Sequence, residues 1–259
     1  MNGLGNDYLF VFGDVPANIR ELCIKLSDRY FGAGSDGMIY ISYSEKADFS
    51  MRIFNADGSE AEMCGNGIRC VGRYVYEKGY TDKRHLTVET LAGIKELDLY
   101  VSGGKVRRVS VNMGAATVLN EIRLDVNGND VEITPVSVGN PHAVIFVPDA
   151  EAAPVAELGQ SIERNGYFPN GVNVEFASVV SENEIRMRVW ERGSGITKAC
   201  GTGACATAAA AVSKGFCKKE RPISVELDGG VLQITVLPEN RITMSGPAET
   251  VYEGETVLC

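Results

Sequence analysis

Two short segments of the 259-residue chain place a thiol in the same setting. The first reads Cys64-Gly65-Asn66-Gly67 and the second Cys200-Gly201-Thr202-Gly203. Each cysteine stands immediately before a glycine-rich turn that opens a helical pattern. Backbone N–H groups at a helix N-terminus point outward with partial positive charge, so they can stabilise a thiolate or bind a carboxylate. The expectation is therefore two thiols of lowered pKa, each beside an anion site. A thiolate and a thiol on opposite faces of one carbon would remove a proton and return another, inverting the centre by general acid–base catalysis. The carbanion formed between the two steps needs electrostatic stabilisation, which the helix N-termini can supply through a bound carboxylate.

The elements needed to position these thiols are legible as a duplication. Arg52-Ile53-Phe54-Asn55 precedes Cys64 at the distance at which Arg188-Val189-Trp190-Glu191 precedes Cys200. Gly5-Asn6-Asp7-Tyr8, with an apolar run after it, corresponds to Gly139-Asn140-Pro141-His142 and its own apolar run. Helical patterns follow each cysteine, over 66–78 and 202–214, stopped by Gly79 and Gly215 as expected of C-terminal glycines. Period-two segments at 86–90 and 94–101, and again at 223–227 and 231–236, flank Gly-containing turns and read as hairpins. The halves close alike at 109–114 and 241–246. This repeat predicts an α+β fold of two pseudo-symmetric domains, each a mostly antiparallel sheet wrapped around a central helix. The boundary is expected near 118–122, giving halves of 1–118 and 119–248, with 249–259 packing back on the first half. Asn127-Gly128-Asn129-Asp130 reads as a turn, and 251–258 as a returning strand. No long linker separates the halves, and the ligand is expected between them.

Bulk properties exclude several function classes. The net charge is −9 and no basic run appears, which argues against a nucleic-acid partner. No stretch is apolar and long enough to span a membrane. The N-terminal residues lack the charged and apolar regions of a signal peptide. Seven scattered cysteines, an odd number, then read as free thiols in a reducing cytoplasm. Cys23, Cys70, Cys205 and Cys217 fit buried apolar positions on helix-like faces. The spacings from Cys64 to Cys70 and from Cys200 to Cys205 are not those of a zinc site. Gly65-Asn66-Gly67 lacks the third glycine of a dinucleotide fingerprint.

At these residues the chain resembles the diaminopimelate epimerases, isomerases that work without pyridoxal phosphate in lysine and peptidoglycan-precursor biosynthesis. The resemblance covers nearly the whole chain. It is carried by Gly3-Leu4-Gly5-Asn6-Asp7-Tyr8, by the run from Phe54 through Cys70, by Gly139-Asn140-Pro141-His142, by Asn173, and by the run from Glu191 through Cys205. It implies epimerisation of LL- to meso-2,6-diaminopimelate with no cofactor and no metal, by a cytoplasmic homodimer. It implies Cys64 and Cys200 as the catalytic acid/base pair. Gly65-Asn66 and Gly201-Thr202 would bind the carboxylate at the reacting carbon, and Asn6, Asn55, Asn140, Asn173, Glu191 and Arg192 would line the pocket. Arg192 suits the distal carboxylate because a guanidinium grips it bidentately, and the asparagines offer a zwitterion both donors and acceptors. His142 would hold the pocket or tune protonation rather than transfer a proton itself. His85 has no comparable context.

Three departures from the family pattern stand out. The chain starts almost at the first motif, where relatives carry a few residues of strand before it, so that either the first strand is clipped or the start lies upstream; Ile196 stands where many have Glu, and Gly37 stands where some have a pocket-lining Gln. Two rival readings share the same motifs: a racemase of another amino acid, and a non-catalytic amino-acid binder. Recognition of a second amino-acid head group distinguishes the first, and retention of both cysteines weighs against the second.

Overall fold

The computed structural model describes residues 1–256. The chain divides into two units, one of Met1–Val111 with the described residues from Gly246 onward, the other of Asn112–Ser245. The division falls inside the strand Lys105–Ala115, not at 118–122. Its physical reason is continuity: the strand runs on from its pairing with Gly93–Ser102, where Leu97 faces Val111, and no turn interrupts it at the division.

Within the first unit, Leu9–Phe12 runs parallel to Gly37–Tyr43, which pairs antiparallel with Phe49–Asn55. Phe49–Asn55 then pairs with the short Glu60–Ala61 and, in parallel, with His85–Thr90. The hairpin of His85–Thr90 and Gly93–Ser102 follows. The second unit repeats this order. Pro141–Phe146 is parallel to Asn173–Ser181, which is antiparallel to Glu184–Glu191. Glu184–Glu191 pairs with Gly195–Thr197 and, in parallel, with Pro222–Leu227, which forms a hairpin with Gly230–Val236. Even the registers correspond: Met38 faces Phe54 as Val174 faces Trp190, and Ile53 faces Ala61 as Val189 faces Thr197. The fold is α+β.

Among the described residues, four α-helices complete the two units: α1 (Ile19–Ser27), α2 (Gly65–Glu77), α3 (Val155–Glu163) and α4 (Gly201–Ser213). Helices α2 and α4 begin one residue before the sequence pattern placed them, because the cysteine itself is the N-cap. Both end as expected, with Gly79 and Gly215 in the left-handed region at φ +76° and +77°. Helix α4 buries nearly every residue, and its side chains are mostly alanine. Small side chains on all faces let strands approach from every side, which is how a helix without an apolar stripe becomes the centre of a unit. Helix α2 is likewise covered on all sides over its first two turns, where residues 65–72 are all buried, and it adds Val75 further on. The two outer helices cover sheet faces: α1 packs Leu22 and Cys23 on Met38, Tyr40 and Phe54, and α3 packs Val155 and Ile162 on Ile145, Val174 and Phe176.

The turn at 127–130 is present between strands Ile122–Val126 and Asn129–Ser137, with Asn127 and Gly128 both at positive φ. The strand expected over 251–258 is not found: 251–256 carry no strand, and residues 257 and 258 lie outside the described residues. Gly254 and the flanking Glu253 and Glu255 break the apolar alternation there, and Glu253 turns outward to pair with Lys78 at 2.6 Å. The segment is tied to the N-terminus just upstream, where Asn2 and Glu249 exchange two backbone hydrogen bonds of 2.8 Å. Among the described residues, no helix is long and apolar enough to cross a membrane.

Candidate active site: two cysteine-capped helices

Each site thiol caps its own helix. Cys64 precedes α2 with extended backbone, φ −137° and ψ 112°, and its Sγ accepts from Gly67 N at 3.3 Å. Cys200 precedes α4 at φ −116° and ψ 109°, and its Sγ accepts from Gly203 N at 3.3 Å. This is the position at which Ser, Thr, Asp or Asn usually accepts the orphan N–H of the first turn. Sulfur in that role places each thiol at the positive end of a helix, at the first-turn residues Gly65-Asn66 or Gly201-Thr202.

Around Cys64 the partners are amides and a phenol. Cys64 Sγ–H donates to Asn6 Oδ1 at 3.3 Å, and Asn66 Nδ2 donates to the same oxygen at 3.4 Å. Asn6 is in turn fixed by Asp36, whose Oδ2 accepts from Asn6 Nδ2 at 2.7 Å. Asn66 is held by the fully buried Arg69, which donates to Asn66 Oδ1 at 3.0 Å and to Gly65 O at 2.9 Å. Burial, reinforced by the neighbouring charges of Cys64 and Asp36, raises the Tyr8 phenol well above its ordinary value and keeps it neutral. Asn55 donates to Ser59 Oγ at 3.1 Å. Asp36 and Arg69 hold the residues singled out from the sequence without belonging to that set themselves. Their cue in the sequence is slight: one acid beside a glycine, and one arginine inside an apolar helix face.

Around Cys200 the partners are ionisable. Thr202 Oγ1 lies 3.6 Å from Cys200 Sγ and accepts from Asn140 Nδ2 at 3.3 Å. His142, fully buried, sets Nε2 3.0 Å from Asn140 Oδ1 and Nδ1 2.6 Å from Glu175 Oε1. Glu191, at the end of its strand, accepts from Thr197 Oγ1. Burial raises the Glu191 carboxyl above its usual range. Burial also pushes the Cys200 thiol well above its ordinary value, and the carboxylates of Glu191 and Glu175 push it further. This overturns, for Cys200, the lowered value expected from its place at a helix N-terminus. The partial charge of that terminus, with the hydrogen bonds from Gly203 and Thr202, does not outweigh desolvation plus two nearby negative charges.

Asn173 and Arg192 meet in the second unit: Asn173 Oδ1 accepts from Arg192 N at 3.0 Å, and Asn173 Nδ2 donates to Pro141 O at 3.0 Å. The Arg192 side chain is exposed, with its guanidinium donating to Asn170 O at 3.1 Å. Thus Asn6, Asn66 and Gly65 gather at Cys64, with Asn55 on the strand leading to it. Asn140, His142, Glu191, Gly201 and Thr202 gather at Cys200, while Asn173 and Arg192 form a separate pair.

Gly37 answers to the backbone: it sits at φ +153°, and a Cβ there would lie 2.1 Å from Phe54 O. No Gln side chain can be carried at that position in this strand register. Ile196 is exposed. Cys23, Cys70, Cys205 and Cys217 are buried and take part in no disulfide among the described residues. Among the described residues, no group of three or more His, Cys, Asp or Glu side chains is placed to hold a metal ion.

Comparison with known proteins agrees with this architecture. Solved structures with the same fold include a phenazine biosynthesis protein of the PhzF family from Bacillus anthracis, with TM-score 0.78, 19% identity, and coverage of 100% of this chain and 95% of that one. They also include a hydroxyproline epimerase from Agrobacterium vitis, with TM-score 0.68, 16% identity, and coverage of 95% and 86%. Curated diaminopimelate epimerases are much closer in sequence. That of Bacteroides thetaiotaomicron is 50% identical, covering 98% of this chain and 96% of its own. That of Acetivibrio thermocellus is 46% identical, covering 100% and 97%. The family model described as diaminopimelate epimerase matches residues 1–119 and 134–251, and the chain belongs to the diaminopimelate epimerase family.

Proposed function

We propose that the chain interconverts LL- and meso-2,6-diaminopimelate by a cofactor-independent, two-base mechanism. The observation that carries this reading is the pair of cysteine N-caps, matched in backbone conformation, in sulfur hydrogen bond and in the glycine that follows. One thiolate removes the α-proton from one face of the carbon, and the other thiol delivers a proton to the opposite face. The backbone N–H groups of Gly65-Asn66 and Gly201-Thr202, at the two helix N-termini, hold the adjacent carboxylate and stabilise the carbanion. Asn6, Asn55, Asn140 and Asn173 orient the zwitterionic groups, Arg192 takes the distal carboxylate, and Glu191 its amino group. This reading places the chain in lysine and peptidoglycan-precursor biosynthesis, as a cytoplasmic homodimer.

The mechanism is tested by replacing each thiol. Cys64→Ala and Cys200→Ala should each lower kcat for epimerisation by about 10³-fold or more, the scale of losing a catalytic proton carrier. Diaminopimelate affinity, measured by calorimetry, should stay within a few-fold. Turnover persisting in both variants would sink the two-base reading.

A further inference from the structure

The turn that carries Arg192 is held from outside, by a helix that belongs to none of the motifs above. Glu163 is the last residue of α3. A carboxylate there faces the negative end of the helix dipole, where a basic side chain is the favourable choice, and the last turn of α3 has no basic residue. Helix preference does not account for this acid, but its hydrogen bonds do. Glu163 Oε2 accepts from Trp190 Nε1 at 2.7 Å, and Glu163 Oε1 accepts from Gly193 N at 2.8 Å. One carboxylate thus brackets Glu191 and Arg192, taking one donor from the residue before them and one from the residue after.

The same helix is shaped to receive the indole. Gly159 lies one turn before Glu163 on the same face, and a Cβ built there would lie 2.5 Å from Trp190 Cβ and 2.8 Å from Trp190 Cγ. The Trp190 side chain therefore rests against bare helix backbone, and Glu163 meets its N–H. Arg192 is then fixed along its length. Its backbone N donates to Asn173 Oδ1 at 3.0 Å, its stem crosses Gly171, where a Cβ would lie 2.9 Å from Arg192 Cδ, and its guanidinium donates to Asn170 O at 3.1 Å. The first unit uses a different device. There the last residue of α1 is Ser27, and the corresponding turn pins itself: Asp57 Oδ1 accepts from Ser59 N at 2.8 Å and from Ser59 Oγ at 2.6 Å. Gly193-Ser194-Gly195 contains no carboxylate of its own, so the acceptor comes from outside the turn.

We propose that Glu163 is a positioning residue for Arg192: its two hydrogen bonds hold the turn at 190–193 against α3, and so hold the guanidinium where it meets the second carboxylate of the substrate. This rests on the reading of Arg192 as the group that takes the distal carboxylate. Glu163 acts through Arg192 and takes no part in proton transfer. A guanidinium on a fixed turn loses little freedom when it engages a carboxylate, so the clamp favours ligands that carry a second carboxylate. In Glu163→Gln the amide keeps one acceptor oxygen, but its NH2 group faces an N–H donor. One of the two bonds is lost and the turn loosens, while the groups at the reacting carbon stay in place.

The test uses the full chain and begins without substrate. Trp190 is the only tryptophan, so the protein gives a single indole N–H signal in a ¹H–¹⁵N spectrum. In the wild-type protein that proton should exchange with water about tenfold or more slower than in free tryptophan, and an indole that exchanges like the free amino acid overturns the clamp without any variant. In Glu163→Ala, which removes both acceptors, the protection should be lost, and retained protection overturns the clamp equally. In turnover, Glu163→Gln should raise the KM for diaminopimelate about tenfold, the scale of one hydrogen bond to a charged group, with kcat within about threefold. An unchanged KM, or a loss confined to kcat, overturns the proposal. In an Arg192→Met background Glu163→Gln should add no further rise in KM, whereas additive rises would mean that Glu163 does not act through Arg192. If the wild-type protein does not epimerise diaminopimelate, the functional reading fails, while indole exchange still decides whether Glu163 holds the turn.

Discussion

At the scale of single residues, the two halves use the same sulfur geometry in opposite surroundings. Cys64 is approached by the amides of Asn6 and Asn66, Cys200 by a hydroxyl and the charges of Glu175 and Glu191. The cysteines stand out in the sequence because helix starts are local patterns, and the asparagines at 6, 66 and 140 because the family resemblance carries them. Glu175 could not. A carboxylate between Val174 and Phe176 reads as an interruption of a strand, and only the parallel strand carrying His142 gives it a partner. The direction of the Cys200 shift was hidden for the same reason: a helix N-terminus is visible in sequence, but the desolvation that opposes it comes from packing. The crowding at this thiol yields a specific expectation. Gly203→Ala would drive a methyl against Glu175 Oε1 and Cys200 Sγ. It should lower stability by ~1–3 kcal/mol, the usual cost of overpacking, and depress turnover with it. Denaturant unfolding beside steady-state kinetics checks both, and a fully stable, fully active variant would contradict the placement of the carboxylate.

At the scale of elements, local signals set what was legible. The glycines at 79 and 215 and the cysteine caps fix both ends of α2 and α4, and the glycine turns fix both hairpins. Over 251–256 the strand expected at the end of the chain is missing because Gly254 and its acidic neighbours interrupt the apolar alternation. The division between units was misplaced because a continuous strand carries no local mark of where its allegiance changes. One link between strands is electrostatic. Burial would raise the Asp48 carboxyl, but hydrogen bonds from Lys83 and from the Thr87 backbone and hydroxyl outweigh it and hold the group below its ordinary value. Thr87 N and Oγ1 donate to Asp48 Oδ2 at 2.8 and 3.0 Å, pinning the start of the Phe49–Asn55 strand to His85–Thr90. A carboxyl depressed in the fold contributes stability that is complete above its unfolded value and lost as pH falls through the folded one. Asp48→Asn should therefore cost ~1–2 kcal/mol at pH 7, with the difference shrinking toward pH 3. Equal differences at both pH values would show that the charge is not what holds the strands.

At the scale of the whole molecule, the repeat explains why two distant stretches of sequence share one local geometry, while their flanks differ. Asn55 in one half stands where Glu191 stands in the other, Tyr8 where His142 stands, and Ile39 where Glu175 stands. The first half carries Asn, Tyr and Ile at these positions, and the second carries Glu, His and Glu. Thiol burial also has a global consequence. Burial raises Cys23, Cys200 and Cys217, and takes Cys70 up to about 12. Groups that stay protonated in the fold but ionise in the unfolded chain contribute stability that is full below the unfolded thiol value, ~8.5, and lost as pH rises above it. Each such thiol steepens the decline by up to ~1.4 kcal/mol per pH unit. Denaturant unfolding at pH 7.5, 8.5 and 9.5 should show falling stability, and a flat profile would contradict the burial of these thiols.

The central claim is that proton exchange at the α-carbon of diaminopimelate is carried by Cys64 and Cys200. It is tested most directly by running the reaction in deuterium oxide and reading the product by mass spectrometry and NMR. The account predicts one deuterium at the inverted α-carbon per turnover, with none in the Cys64→Ala and Cys200→Ala variants. Inversion without deuterium incorporation, or incorporation that survives loss of both thiols, would contradict it.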